Sequence, residues 1–175
     1  SNTITGVSLS FVGGHGNYIT STATETGKGI SGITVLGSQN QVHNTNSTGY
    51  LDRLFIAGDQ NNVYNDSFDN VILGGRNDIQ YNSSTYTDES PAGSEAYPTS
   101  RVAIIGHCNH VGIKIHDYAI LGIGNDVTST TPVSAGLVQG SDNVAANGSN
   151  IVIMGNGNAA TGHNSVAIGD QLISS

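Results

Sequence analysis

The chain has no tryptophan, one cysteine, one methionine and three prolines in 175 residues. A lone Cys108 excludes an internal disulfide framework. Charged residues make up only 10%, and five Lys and Arg face 13 Asp and Glu, a formal net charge of −8. Phosphate binding needs a basic patch, so a nucleic-acid role is excluded. No run of 18 apolar residues occurs, so no membrane insertion by a helix is expected. No signal peptide is visible and there is no initiator Met, so the chain reads as a fragment of something longer or a processed product.

What is abundant is glycine, with 24 copies, and the glycines repeat in a pattern. Aligned on one glycine, the copies are Gly14, Gly37, Gly58, Gly74, Gly106, Gly122, Gly140, Gly155 and Gly169. Three residues later stand Asn17, Asn40, Asn61, Asn77, Asn109, Asn125, Asn143 and Asn158, with Leu172 in the last copy. Two residues before the glycine stand Val12, Val35, Ile56, Ile72, Ile104, Ile120, Val138, Ile153 and Ala167. Five after it come Ile19, Val42, Val63, Ile79, Val111, Val127, Ala145 and Ala160. The glycine spacings are 23, 21, 16, 32, 16, 18, 15 and 14. The base period is therefore roughly 14 to 16 residues, with insertions.

That period is too short for a helix pair or a propeller blade and suits one coil of a β-solenoid, read as two short strands and two turns. β-Branched residues favour extended backbone. Alternation in Ile33-Thr34-Val35 and Ile151-Val152-Ile153 turns the residues two and four before the glycine into the coil. Glycine suits a corner with φ > 0, and Asn tolerates the left-handed region. Stacked coils place each Asn above the last, where the amides can bond as a ladder. The fold expected is all-β: a parallel β-solenoid or β-roll of nine to ten coils, one domain over 1–175. Inserted loops are expected at 20–31, 80–100 and 128–134. The stretch 80–100 is either a degenerate coil or a long loop. The core is thin, and Phe11, Phe55, Val71, Leu137, Val152 and Val166 fall on the outward phase of their strands. They need a second surface, which predicts a homo-oligomer.

The segment Ala160-Thr161-Gly162-His163-Asn164-Ser165-Val166-Ala167-Ile168-Gly169 resembles the head repeat of trimeric autotransporter adhesins, a unit that also occurs in bacteriophage tail fibres. Asn150 to Gly155 is a looser copy. The resemblance implies three chains packed about one axis and a left-handed coil. It implies the receptor-binding or adhesive part of an extracellular fibre that meets a host cell-surface glycan or outer-membrane protein. The Asn ladder and the long loops depart from the usual adhesin pattern, so a virion tail fibre is favoured over a bacterial cell surface.

Tyr81, Tyr86, Asp88, Glu89, Glu95 and Tyr97 in the longest insertion are the candidate ligand-binding residues. Aromatic faces stack on sugar rings, and carboxylates accept hydrogen bonds from hydroxyls; the bland alternative is packing on a neighbouring chain. His107-Cys108-x-His110 is not a standard zinc spacing, so no metal or cofactor is expected. Asp66 with Asp69, and Asp88 with Glu89, are the nearest to a glycosidase carboxylate pair, but a narrow coil leaves room for one only between subunits. No catalytic residues are assigned and no enzyme is expected. The alternatives are a capsular polysaccharide depolymerase at an inter-subunit groove and a structural fibre spacer.

Overall fold

The computed structural model describes residues 1–22, 29–44, 50–64, 67–79, 99–112 and 114–175. These residues form an all-β parallel solenoid of about eight turns, with no helix among them. The nine aligned glycines stand in register from rung to rung, Gly14 on Gly37 through to Gly155 on Gly169. The repeat is thus the coil itself.

Most turns carry three strands, not the two expected; the last two keep two, Val144–Ala146 followed by Ile151–Asn156 and Ala159–Thr161 by Val166–Asp170. Face 1 stacks Thr3–Thr5, Tyr18–Ser21, Gln41–Asn44, Asn62–Tyr64 and their successors to Ile173–Ser174. Face 2 stacks Val7–Ser8, Gly29–Ser31, Tyr50–Asp52, Ser67–Phe68 and Thr99–Ser100. Face 3 bears the glycines, in strands such as Thr34–Ser38, Phe55–Asp59, Val71–Gly75 and Ala103–His107. The long strands Ile115–Ile123 and Val133–Ser141 run through from face 2 to face 3 and join them into one sheet. The third corner escaped notice because its bend carries no glycine signature. Arg53, Asp69, Arg101, Asp117 and Ala135 take the left-handed conformation there, with φ of 51° to 61°.

Two corners are constant and one is not. Two residues always separate a face 3 strand from the next face 1 strand. Wherever faces 2 and 3 are separate strands, two residues link them as well. Between face 1 and face 2 the connection holds seven residues from Ser21 to Gly29, five from Asn44 to Tyr50, two from Tyr64 to Ser67, and 19 from Ile79 to Thr99. All the variation in glycine spacing comes from this one corner. The doubled spacing of 32 hides no extra coil, since Gly74 pairs directly with Gly106 and Ile79 with Val111. Strand ends trim the expected loops: Gly29–Ser31, Thr99–Ser100 and the start of Val133–Ser141 are rungs of the sheet.

Three inward columns fill the coil: Val35, Ile56, Ile72, Ile104, Ile120, Val138 and Ile153 from face 3; Ile19, Val42, Val63, Ile79, Val111 and Val127 from face 1; Ile30, Leu51, Ile115 and Val133 from face 2. Ile33, Leu54, Val102 and Ile151, four residues before their glycines, are buried with them, as the alternation implies. Tyr118 fills the same column from inside, donating its hydroxyl to the Gly148 carbonyl at 2.6 Å. Gly136 lies one rung on, and any side chain there would overlap the Tyr118 ring.

The corner after face 3 is held by the asparagines, each 0–1% exposed. Asn109 is representative. Its Nδ2 donates to Asn77 Oδ1 and to the Gly122 carbonyl, both at 2.9 Å. Its Oδ1 accepts from the Asn125 backbone N–H at 3.1 Å and from Asn125 Nδ2 at 2.9 Å. The amide's two donors and its acceptor oxygen are thus all engaged. The asparagines are not themselves left-handed, contrary to the sequence reading. The residue before each one is: Gln39, Gln60, Arg76, Cys108 and Asp142 have φ of 55° to 58°. The bend must be finished before the Asn if its amide is to point inward. The glycines do take φ > 0, and at Gly106 (φ 146°) a methyl group would overlap the Gly122 carbonyl oxygen.

Candidate functional site

The three faces differ in what they show outwardly. Face 3 carries Phe11, Thr34, Phe55, Val71, Ala103, Ala119, Leu137, Val152 and Val166 in one outward column. Beside it run Gly13, Leu36, Ala57, Leu73, Ile105, Leu121, Gln139, Met154 and Ile168. Neither column holds a charge. Phe11 is 63% exposed, Val166 57%, Ile168 62% and Ile105 47%. Nine rungs at about 4.8 Å make this stripe about 38 Å long. Apolar stripes of this continuity mark interaction surfaces more than ordinary exposed surface.

Face 1 is polar or aromatic as far as Asp126 and turns apolar at Val144, Ala159 and Ile173. Its outward residues include Tyr18, Gln41, Asn62, Asp78, His110 and Asp126 in register. The His43 ring stacks on Tyr64 with centroids 5.3 Å apart and planes 12° apart, and tilts against Tyr18. Its nitrogens contact Thr20 Oγ1 and Gln41 Oε1. Burial holds the His43 imidazole below its ordinary pKa. On face 2, burial lowers His116 likewise, and its Nδ1 lies 2.8 Å from Ser100 Oγ.

Where face 2 turns into face 3 a ladder of alternating charge climbs the corner. Arg53 bonds Asp52 and Asp69, and Arg101 donates to Asp117 through Nε at 2.5 Å and Nη2 at 2.9 Å. Hydrogen bonds from Arg53 and Arg101 hold the Asp69 and Asp117 carboxyls below their ordinary pKa. Asp69 is thereby committed to structure. This ladder is not legible in the sequence because its members sit 16 or 32 residues apart, at a corner with no recognised signature.

At the corner between face 3 and face 1, an open recess of about 600 Å³ is lined by Ser38, Asp59, Gln60, Gly75, Arg76 and His107. The column immediately after the corner glycine reads Ser38, Asp59, Gly75, His107 in successive rungs. Gly75 therefore leaves a gap in a row of polar side chains.

The six sequence-selected binding residues Tyr81, Tyr86, Asp88, Glu89, Glu95 and Tyr97 lie outside the described residues, as does Asp66. Their stretch joins Ile79 to Thr99, at the corner that does not border face 3. Cys108 is exposed at the left-handed position of its corner, while His110 lies on face 1 with its Nδ1 3.9 Å from Asp78 Oδ2. Among the described residues no three His, Cys, Asp or Glu side chains converge where one metal ion could sit. No helix among the described residues is long and apolar enough to cross a membrane.

Compared with protein-family models, curated proteins and solved structures, the chain matches none of them.

Proposed function

We propose that the chain is the receptor-binding or adhesive part of a homotrimeric extracellular fibre, a phage tail fibre or an adhesin head, without enzymatic activity. The observation that carries this reading is the division of the surface. The two outward columns of face 3 carry no charge, and Phe11, Phe55, Ile105, Met154, Val166 and Ile168 stand exposed in them. Every insertion longer than two residues leaves from the one corner away from it. Three copies that bury face 3 about a common axis would remove the apolar stripe from water, a gain of about 25 cal/mol per Å². They would also turn the variable corners outward. In repeat proteins, insertions collected on one side commonly form the binding side. The host ligand on this reading is a cell-surface glycan or an outer-membrane protein, bound weakly at each loop and multiplied by avidity.

Light scattering or native mass spectrometry tests the assembly. Three chain masses are expected for the wild type, with dissociation in Ile105→Asp/Met154→Asp. A monomeric wild type would sink the proposal. Host-cell attachment tests the function. Replacing residues 85–95 by a short Gly-Ser linker should abolish attachment while leaving the mass and Tm in place. Attachment that survives the replacement would instead favour a spacer, and shortening of a capsular polysaccharide by the wild type would favour a depolymerase.

A further inference from the structure

The recess around Gly75 has a chemistry of its own. Of the three arginines, Arg53 and Arg101 are tied to carboxylates, whereas Arg76 pairs with no carboxylate among the described residues. Its Nε donates to Gln60 Oε1 at 2.9 Å, and Gln60 Nε2 in turn donates to Gln39 Oε1 at 2.8 Å. That chain of bonds holds the guanidinium beside the gap while its two terminal nitrogens have no partner among the described residues. In a chain of net charge −8, an unpaired guanidinium next to an open recess is out of character.

One rung before the gap, Asp59 Oδ1 accepts from the Ser38 backbone N–H at 3.0 Å and from Ser38 Oγ at 2.6 Å. This anchors the carboxylate and leaves Oδ2 unengaged among the described residues. One rung after the gap, the His107 ring leans over Gly75, its Nδ1 3.1 Å from where a methyl group would stand. Asp59 and His107 are two rungs apart, about 9.6 Å at ordinary strand spacing. A fixed guanidinium fork matches a carboxylate. An anchored carboxylate oxygen matches a hydroxyl donor. The ring edge and backbone of the gap supply a floor. A recess of this volume lies in the range of small-molecule sites.

We propose that the Gly75 recess binds one unit of an acidic saccharide, its carboxylate on Arg76 and its hydroxyls on Asp59, with His107 against the ring. A neutral sugar leaves the Arg76 donors unmatched, and a simple carboxylic acid leaves Asp59 unmatched. This names a ligand class for the surface-binding reading above and takes its biological sense from it, but none of its residues belongs to the long insertion.

The test is a backbone-amide NMR titration of the purified chain with glucuronate, glucose, acetate and glycine. Saturable shifts at Gly75, Arg76 and His107 are expected with glucuronate, at an affinity at least tenfold above the other three. Arg76→Gln should weaken glucuronate at least tenfold. It keeps the fold because Gln39 and Gln60 occupy the same corner position with φ of 56° and 58°. Asp59→Ser, a residue already found in that column at Ser38 and Ser141, should erase the preference for glucuronate over acetate. No saturable shift with glucuronate, equal binding of glucose, acetate or glycine, or full affinity in Arg76→Gln would overturn the proposal. A trimer that attaches to cells yet ignores glucuronate fails here alone, and a monomer that binds glucuronate fails the assembly reading alone.

Discussion

At the scale of single residues, the fold depends on a polar group kept entirely inside. Asn109 makes hydrogen bonds to the rungs on both sides of it, so its loss strands groups that water cannot reach. A buried group left without its partner costs about 1–3 kcal/mol. Asn109→Ala removes the partner of the Gly122 carbonyl and of the Asn125 amide together, and a loss of about 2–4 kcal/mol in urea unfolding is expected. A loss below 0.5 kcal/mol would mean that water replaces the ladder. Leu172 shows what the chain does where the ladder stops. Its backbone N–H still donates to Asn158 Oδ1 at 2.9 Å, and its side chain lies under Gly169. The corner geometry thus survives without the amide, but the ladder goes no further.

At the scale of elements, two strand histidines and two corner carboxylates set the response to acid. His43 and His116 have pKa values lowered by burial, so the folded state prefers the neutral ring. Their contribution is complete above the ordinary value of 6.5 and is lost as pH falls through the lower folded value. Asp69 and Asp117 act in the same direction at lower pH. Their contribution is present above 3.8 and is lost as pH falls below it. Both carboxylates lie near the surface, so solvent screening keeps that second stage small. Melting followed by circular dichroism should show Tm falling from pH 6.5 downward. The double variant His43→Gln/His116→Gln should flatten the curve between pH 6.5 and 5. An unchanged slope in that variant would assign the acid sensitivity elsewhere.

At the scale of the whole molecule, nearly all pairing joins adjacent rungs, the Tyr118 hydroxyl on the Gly148 carbonyl two rungs on being an exception, so stability is close to a sum over rungs and interfaces. One complete rung should therefore be removable. Deleting residues 107–122 joins Gly106 to Ile123, keeps Gly74 on Gly106 and brings Gly106 onto Gly140, with the Asn ladder passing from Asn77 to Asn125. The product is expected to remain β-structured with one rung fewer and a Tm lower by a few degrees. Deleting residues 107–114 instead removes half a rung and should leave the chain unfolded. Equal Tm values for the two deletions would contradict a register set by the coil. The same additivity explains how a 19-residue connection between Ile79 and Thr99 is accommodated, since the rungs on either side still pair directly.

The period, the stacked glycines, the inward Val and Ile columns and the Asn ladder were all legible in the sequence. Each rests on a local rule, alternation or a corner conformation, repeated until it stands clear of chance. The third strand per turn was not legible, because Arg53, Asp69, Arg101 and Asp117 enter the left-handed region without the glycine that would announce it. That Phe11, Phe55, Val71, Leu137, Val152 and Val166 face outward was legible, but not their union into one stripe opposite a single variable corner. The outward residues of face 3 lie 14 to 32 positions apart in the chain and become a stripe only when the rungs stack. The Gly75 recess belongs to the same class. A missing side chain is a gap only when Asp59 and His107 stand on either side of it, and pairing across rungs puts them there.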